Sequence, residues 1–270
     1  MKSRKIYKKL IIIIAVLCSA SSSHSFTLFE NFNLWISKKE EVITHKQVLT
    51  PGSEISVENF RGDIEIKTWD QPTLLIEATK IGTTEELKLT KVETVYTKHG
   101  AHIKTVPLKL ERFCTVNYTL IVPKTAILTD IHTDKGVITI KDVSTPSKVR
   151  VQYGSITLQD VSNSVQASTK FGHISIQTNQ IKSGSKIVAI TERGNIRLQV
   201  PAKADAVLYA KTNKGTVTSE CPVTLEPRTM KLCQSTLAGL KRDVRGSIGT
   251  GGSTVINLHT TRGNVKVLEA

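Results

Sequence analysis

The stretch QYGSITLQDV, Gln152–Val161, is restated eighteen residues later as KFGHISIQTN, Lys170–Asn179. The shared element is Gly-x-[Ile/Val]-x-[Ile/Leu/Val]. It recurs as GDIEI at Gly62, GVITI at Gly136, GSITL at Gly154, GHISI at Gly172, GNIRL at Gly194 and GNVKV at Gly263, with GTVTS at Gly215 a degraded copy. From Gly136 the spacings are 18, 18, 22 and 21 residues and then 48, which leaves room for one poorly marked unit. Recurrence at a period near 20 is the signature of a repeat array.

The columns around each glycine carry the fold. Five positions before it stand Val57, Ile131, Val149, Ala167, Ala189, Ala210 and Leu258, all apolar, and two after it Ile64, Ile138, Ile156, Ile174, Ile196, Val217 and Val265. Three before it stand Asn59, Thr133, Val151, Thr169, Thr191, Thr212 and Thr260. Each flank alternates with a period of two, as a strand does. The alternation slips by one residue at the glycine, so a bend there is needed to keep both apolar stripes on one inward face. Glycine takes such a backbone without steric penalty. Each unit therefore reads as strand, glycine corner, strand and turn, and it buries its stripe only by stacking on a neighbour.

The expectation is an all-β chain forming a β-solenoid (β-helix-like) stack of short strands. Val, Ile and Thr dominate throughout, and GTTEELKL, Gly82–Leu89, has room for a single helical turn. Residues 46–128 read as longer, less regular strands leading into a regular array from about residue 129 onward.

The N-terminus obeys other rules. Lys2, Arg4, Lys5, Lys8 and Lys9 precede the apolar run Leu10–Leu17 and the small residues CSASSSHS, which is the layout of a secretory signal peptide over residues 1–25. Ser23 and Ser25 favour cleavage before Phe26. Val16-Leu17-Cys18 resembles a lipobox but has Leu17 where a small residue is usual, so lipid anchoring at Cys18 is the lesser reading. An exported protein of the periplasm or cell surface is expected.

Removing five basic residues lowers the formal charge from +14 to +9. Dispersed solvated charge is the plainer reading of this balance, and the functional one is an anionic envelope glycan, a lipid surface or an envelope protein as partner. No Lys/Arg block or nucleic-acid motif is present, so nucleic acid is not expected. In an oxidising compartment, Cys221 and Cys233 are the pair closest in sequence, bracketing an irregular segment, and Cys114 is left as a buried thiol. None has the spacing of a zinc site.

RGSIGTGGSTVINLHTTRGNVKVLEA, Arg245–Ala270, and SVENFRGDIEIKTWD, Ser56–Asp70, resemble the closing and opening units of toastrack domains, the putative-adhesin family of unknown function. With the middle repeats, the resemblance covers about residues 46–270. It implies a solenoid-like stack in exported or membrane-attached bacterial proteins, with adhesion or envelope-stress roles and no general catalytic site.

Chemistry-bearing motifs are few. The histidines form no HExxH and no nucleophile elbow, and only His99 and His102 are placed to meet across a turn. GSIGTGG, Gly246–Gly252, lacks the Lys-Ser/Thr ending and following helix of a phosphate loop and reads as a turn. No catalytic residue, metal site or cofactor is assigned. In FTLFENFNLW, Phe26, Phe29, Phe32 and Trp35 stand three residues apart, so residues 26–45 read as a cap over the solenoid end or as a membrane-surface anchor.

One column is a candidate binding ladder. The residue just before each corner glycine is Arg61, Lys135, Tyr153, Phe171, Arg193, Lys214 or Arg262, five cations and two aromatics. Rungs stacked in register would space them at about 4.8 Å. Covering the corner is the plainer role for such side chains, and binding sugar rings, acidic polymers or lipid phosphates the functional one. The expected function is a non-catalytic, adhesin-like binding or scaffold module of the bacterial cell envelope. The alternative is an envelope-stress sensor or regulatory module that pairs with a protein through a strand edge.

Overall fold

The computed structural model describes residues 38–225 and 242–270. The expected signal peptide, the Phe26–Trp35 segment, Cys18 and Cys233 lie outside the described residues. In chain order the strands are β1 (Lys39–Val48), β2 (Glu54–Arg61), β3 (Ile64–Trp69), β4 (Thr73–Gly82), β5 (Thr90–Thr97), β6 (Gly100–Pro107), β7 (Thr115–Pro123), β8 (Ile127–Lys135), β9 (Ile138–Lys141), β10 (Ser147–Tyr153), β11 (Ile156–Gln159), β12 (Val165–Phe171), β13 (Ile174–Gln177), β14 (Lys186–Arg193), β15 (Ile196–Val200), β16 (Ala206–Lys214), β17 (Val217–Ser219), β18 (Val223–Leu225), β19 (Asp243–Ile248), β20 (Thr254–Arg262) and β21 (Val265–Glu269). The helical turn foreseen in GTTEELKL is α1 (Thr84–Lys88), closed by a capping box between Thr83 and Glu86.

The strands form two sheets. One has ten strands in the order β1-β4-β7-β3-β9-β11-β13-β15-β21-β17, and the other eleven in the order β18-β19-β16-β20-β14-β12-β10-β8-β2-β6-β5. Each glycine-marked unit sends its first strand into the eleven-stranded sheet and its second into the ten-stranded one, and successive units pair in parallel. The predicted stripes point inward: Val57, Ile131, Val149, Ala167, Ala189, Leu258 and Ala210 are buried on one side, and Ile64 through Val265 on the other. Together they make one continuous apolar core.

Space and sequence disagree at both ends of the stack. The C-terminal rung β20–β21 lies between β14–β15 and β16–β17, so the rung that follows β15 in sequence is displaced outward by one place. At the other end, β6 and β7 pair in parallel with β2 and β3 and lie outside them. Strands β6 and β7 thus form a further rung within the stretch read as longer, less regular strands leading into the array. It has no corner glycine; residues 108–114 make the connection instead.

The glycine corners are enforced by close stacking. A Cβ on Gly154 would sit 1.8 Å from the carbonyl oxygen of Gly136, and one on Gly172 would sit 1.9 Å from that of Gly154, both with φ near +150°. The corner leaves a glycine carbonyl and the next N–H outside the backbone ladder, and two side-chain columns take them up. Thr133, Thr169, Thr191, Thr260 and Thr212 donate Oγ1 to the carbonyls of Gly62, Gly154, Gly172, Gly194 and Gly263 at 2.8–3.2 Å. Asn117, Asp63, Ser155, His173, Asn195 and Asn264 accept the N–H of the residue one rung on. Buried polar backbone must be paired, which explains why the column three before the glycine is mostly Thr. Val151 interrupts the first column and Val137 the second.

Candidate functional site: the corner column

The seven residues of the candidate ladder come together in one row. The pairings run Arg61↔Lys135, Lys135↔Tyr153, Tyr153↔Phe171, Phe171↔Arg193, Arg193↔Arg262 and Arg262↔Lys214. The end-of-stack inversion therefore exchanges Lys214 and Arg262 relative to sequence order. The row stands where the chain leaves the eleven-stranded sheet, so side chains that continue the inward alternation are carried past the core edge into solvent.

The aromatic centre is closed. The Tyr153 and Phe171 rings stack with centroids 5.1 Å apart and planes 1° from parallel. Lys135 Nζ lies 5.8 Å from the Tyr153 centroid on one flank, and Arg193 Cζ lies 5.1 Å from the Phe171 centroid on the other. Each ring thus has one face against the other ring and a cation within interaction range, a cation–π–π–cation stack. At the end of the row, Arg61 Cζ is 4.9 Å from the Phe113 ring, which meets Phe60 at 6.0 Å. Phe113 escaped sequence reasoning because it lies in the loop that replaces a glycine corner; only the rung register brings it here.

Among the described residues, the charges of this row have no acidic partner. Some cations elsewhere on the surface are matched, such as Lys104 with Glu58 at 3.0 Å, Lys124 with Asp70 at 2.8 Å and Arg150 with Asp130 through two hydrogen bonds, while others, such as Lys148 and Arg197, stand singly among the described residues; the row differs in setting its cations on adjacent strands. Among the described residues, Arg61, Lys135, Arg193, Arg262 and Lys214 form no ion pair with a carboxylate. Arg193, Arg262 and Lys214 are consecutive in space and all exposed. Like charges on adjacent strands repel, and an anion laid along the row relieves that repulsion. With the ring stack filled by its own neighbours, the open chemistry is the cationic heads and the ring rims.

Two other concavities are lined mainly by polar residues. One, about 600 Å³, lies at the opposite corner against Trp69, Asp70, Lys124, Asp142 and Asp160. The other, about 350 Å³, lies on the face of the eleven-stranded sheet, where Ser56 Oγ and His102 Nδ1 are 2.6 Å apart. Among the described residues this Ser–His contact has no third member: Glu58 is held by Lys104, and Asp130 by Arg150. His102 turns to Ser56 rather than to His99, and no group of three His, Cys, Asp or Glu among the described residues is arranged to hold a metal ion. Of GSIGTGG, expected to be a turn throughout, Gly246–Ile248 end strand β19 and only Gly249–Gly252 turn towards β20, fastened by Asp205 accepting from Thr250 N–H at 2.7 Å. Cys114 and Cys221 are buried thiols, and burial pushes both above the usual thiol range.

The sequence matches the family described as Toastrack DUF4097 over residues 19–268. Among solved structures, a putative cell adhesion protein from Clostridium sporogenes is 9% identical with a TM-score of 0.50, covering 87% of this chain and 100% of its own. A putative adhesin from Bacteroides fragilis is 12% identical with a TM-score of 0.33, covering 84% of this chain and 97% of its own. No curated protein matches the chain.

Proposed function

The chain belongs to the Toastrack family, and from that premise we propose that it is a non-catalytic, exported binding module of the bacterial envelope whose corner column holds a linear anionic polymer. The observation that carries this reading is the in-register row of cations, without a carboxylate partner among the described residues and two of them seated on a ring stack. Seven positions at the strand spacing make a line of about 29 Å. A one-dimensional array of that length suits a chain of repeating phosphate or carboxylate groups, each contact being weak and the sum strong. The Arg residues supply forked donors that match either anion. The adhesion role in the name of the Clostridium sporogenes neighbour accords with such a surface.

The test is co-sedimentation of the processed chain with purified anionic envelope polymers. The charge-reversed variant Arg193→Glu/Arg262→Glu/Lys214→Glu loses binding on this reading. Retention of binding by that variant sinks it, as does binding only to vesicles of anionic lipid.

A further inference from the structure

The ten-stranded sheet ends in an open border. All ten residues of β1 pair with β4, from Lys39↔Gly82 to Val48↔Thr73, and among the described residues no strand pairs on the other side of β1. At the far end of the stack the two border strands, β17 and β18, have three residues each. A long border presents a row of unpaired N–H and C=O groups to any strand whose side chains fit.

The side chains of β1 fit a second copy of β1. On its solvent face are Glu40, Val42, Thr44 and Lys46, all exposed, with Val42 at 53%. On the other face Ile43 packs against the core, and Glu41 accepts from Lys80 Nζ at 3.3 Å. Two copies related by a two-fold axis normal to the sheet pair antiparallel with like faces on the same side, so the permitted registers differ in steps. With Ile43 opposite its own copy, Glu40 faces Lys46, Glu41 faces His45, Val42 faces Thr44 and Lys39 faces Gln47, each twice by symmetry.

Every acid then faces a base, and the overlap runs across residues 39–47. One step towards Thr44 sets Glu40 against Val48 and Lys46 against Val42; one step towards Val42 sets Lys46 against Lys38. Opposite charges directly across a strand pair stabilise it and like charges destabilise it. Charges that deter unspecific pairing at this border thus select a single register. The other long border, β5, matches Lys91 with Glu93 only when centred on Val92, where the overlap is confined to residues 90–94.

We propose that this protein forms a two-fold dimer through antiparallel β1–β1 pairing centred on Ile43, joining two ten-stranded sheets into one. The proposal is independent of what the corner column binds. A dimer carries two columns, and so raises the avidity of any polymer long enough to reach both.

The experiment is light scattering coupled to size exclusion on the processed chain over a range of concentrations, with circular dichroism to verify folding of each variant. Glu40→Lys places lysine against Lys46 twice, and Lys46→Glu places glutamate against Glu40 twice. Both sites are exposed, so neither change disturbs the core. The expected result is a dimer for the parent, dissociation constants at least tenfold weaker for each single variant, and recovery in the Glu40→Lys/Lys46→Glu double variant. A monomeric parent overturns the proposal, as does a dimer indifferent to the single changes or one that the double change fails to restore.

Discussion

Tyr153 and Phe171 lie face to face with their planes 1° apart, one rung from each other, and each has a cation on its flank, Lys135 and Arg193. The rings act here as seats that hold charge at a fixed spacing. Phe171→Ala removes the stack and the seat of Arg193 together. The expected cost is about 1 kcal/mol of stability for a half-exposed ring pair, read by urea denaturation. Binding to an anionic polymer should fall as well, and the remaining affinity should stay steeply dependent on ionic strength.

Gly172 and Gly184 make a controlled pair. A Cβ at Gly172 meets the Gly154 carbonyl at 1.9 Å, whereas one at Gly184, with φ of +79°, meets nothing within 4 Å. Gly184→Ala is expected to cost about 1 kcal/mol, from the left-handed backbone alone. Gly172→Ala must open the rung spacing and is expected to cost several times that. Chemical denaturation of the two variants checks the ratio; equal losses would contradict the corner geometry.

Val151 is where the threonine column lapses. Val151→Thr supplies a hydroxyl at the position from which Thr169 reaches the carbonyl of Gly154, one rung on, at 3.0 Å. Thermal melting should show the variant neutral or more stable, by up to about 1 kcal/mol, the net worth of one hydrogen bond. Val149→Thr, two residues earlier in the same strand, points a hydroxyl into the apolar core and should be destabilising.

Tyr118 gives the stack an alkaline limit. Its hydroxyl is buried and lies 2.7 Å from Thr105 Oγ1, which in turn donates to Asn59 Oδ1 at 2.9 Å, tying β7, β6 and β2 across the core. Burial pushes the phenol up to about 12 from its usual 10, against a smaller opposing effect of the Thr105 hydrogen bond. A folded pKa above the unfolded one adds stability that is complete below pH 10 and is lost as pH rises through 12, about 3 kcal/mol in all. Denaturation midpoints between pH 9 and 12 should show this loss, and Tyr118→Phe should be less stable at pH 8 yet flatter across that range.

The rungs themselves were readable because a two-residue alternation that slips at a glycine permits little besides a corner. Ile138, Ile156 and Ile174 were assignable to the core on that ground, and the stacked row from Arg61 to Lys214 followed from the common register. What the sequence withheld were choices of neighbour. A period near twenty states how each unit is shaped but not which unit it touches, so the place of Arg262 between Arg193 and Lys214 could not be foreseen. The β6–β7 rung was hidden for a related reason. Residues 108–114 replace the glycine corner that marks the others, and Phe113 took its place beside Arg61 through the register of β6 on β2. Closure of the Tyr153 and Phe171 faces depended on side-chain conformation, about which a column of letters is silent.

The burial of β20–β21 inside the stack has a bearing on the order in which the rungs can assemble. During synthesis β16–β17 precede the rung on which they rest, and β2–β3 precede the β6–β7 rung that covers them. The N-terminal end of the core is complete within residues 39–141, whereas the C-terminal end cannot close on a partly made chain, because β16–β17 wait for a rung synthesised after them. Such non-local pairing is slow to form. The C-terminal rungs are therefore the last to set, with β20 and β21 acting as the wedge that locks the assembly once they arrive.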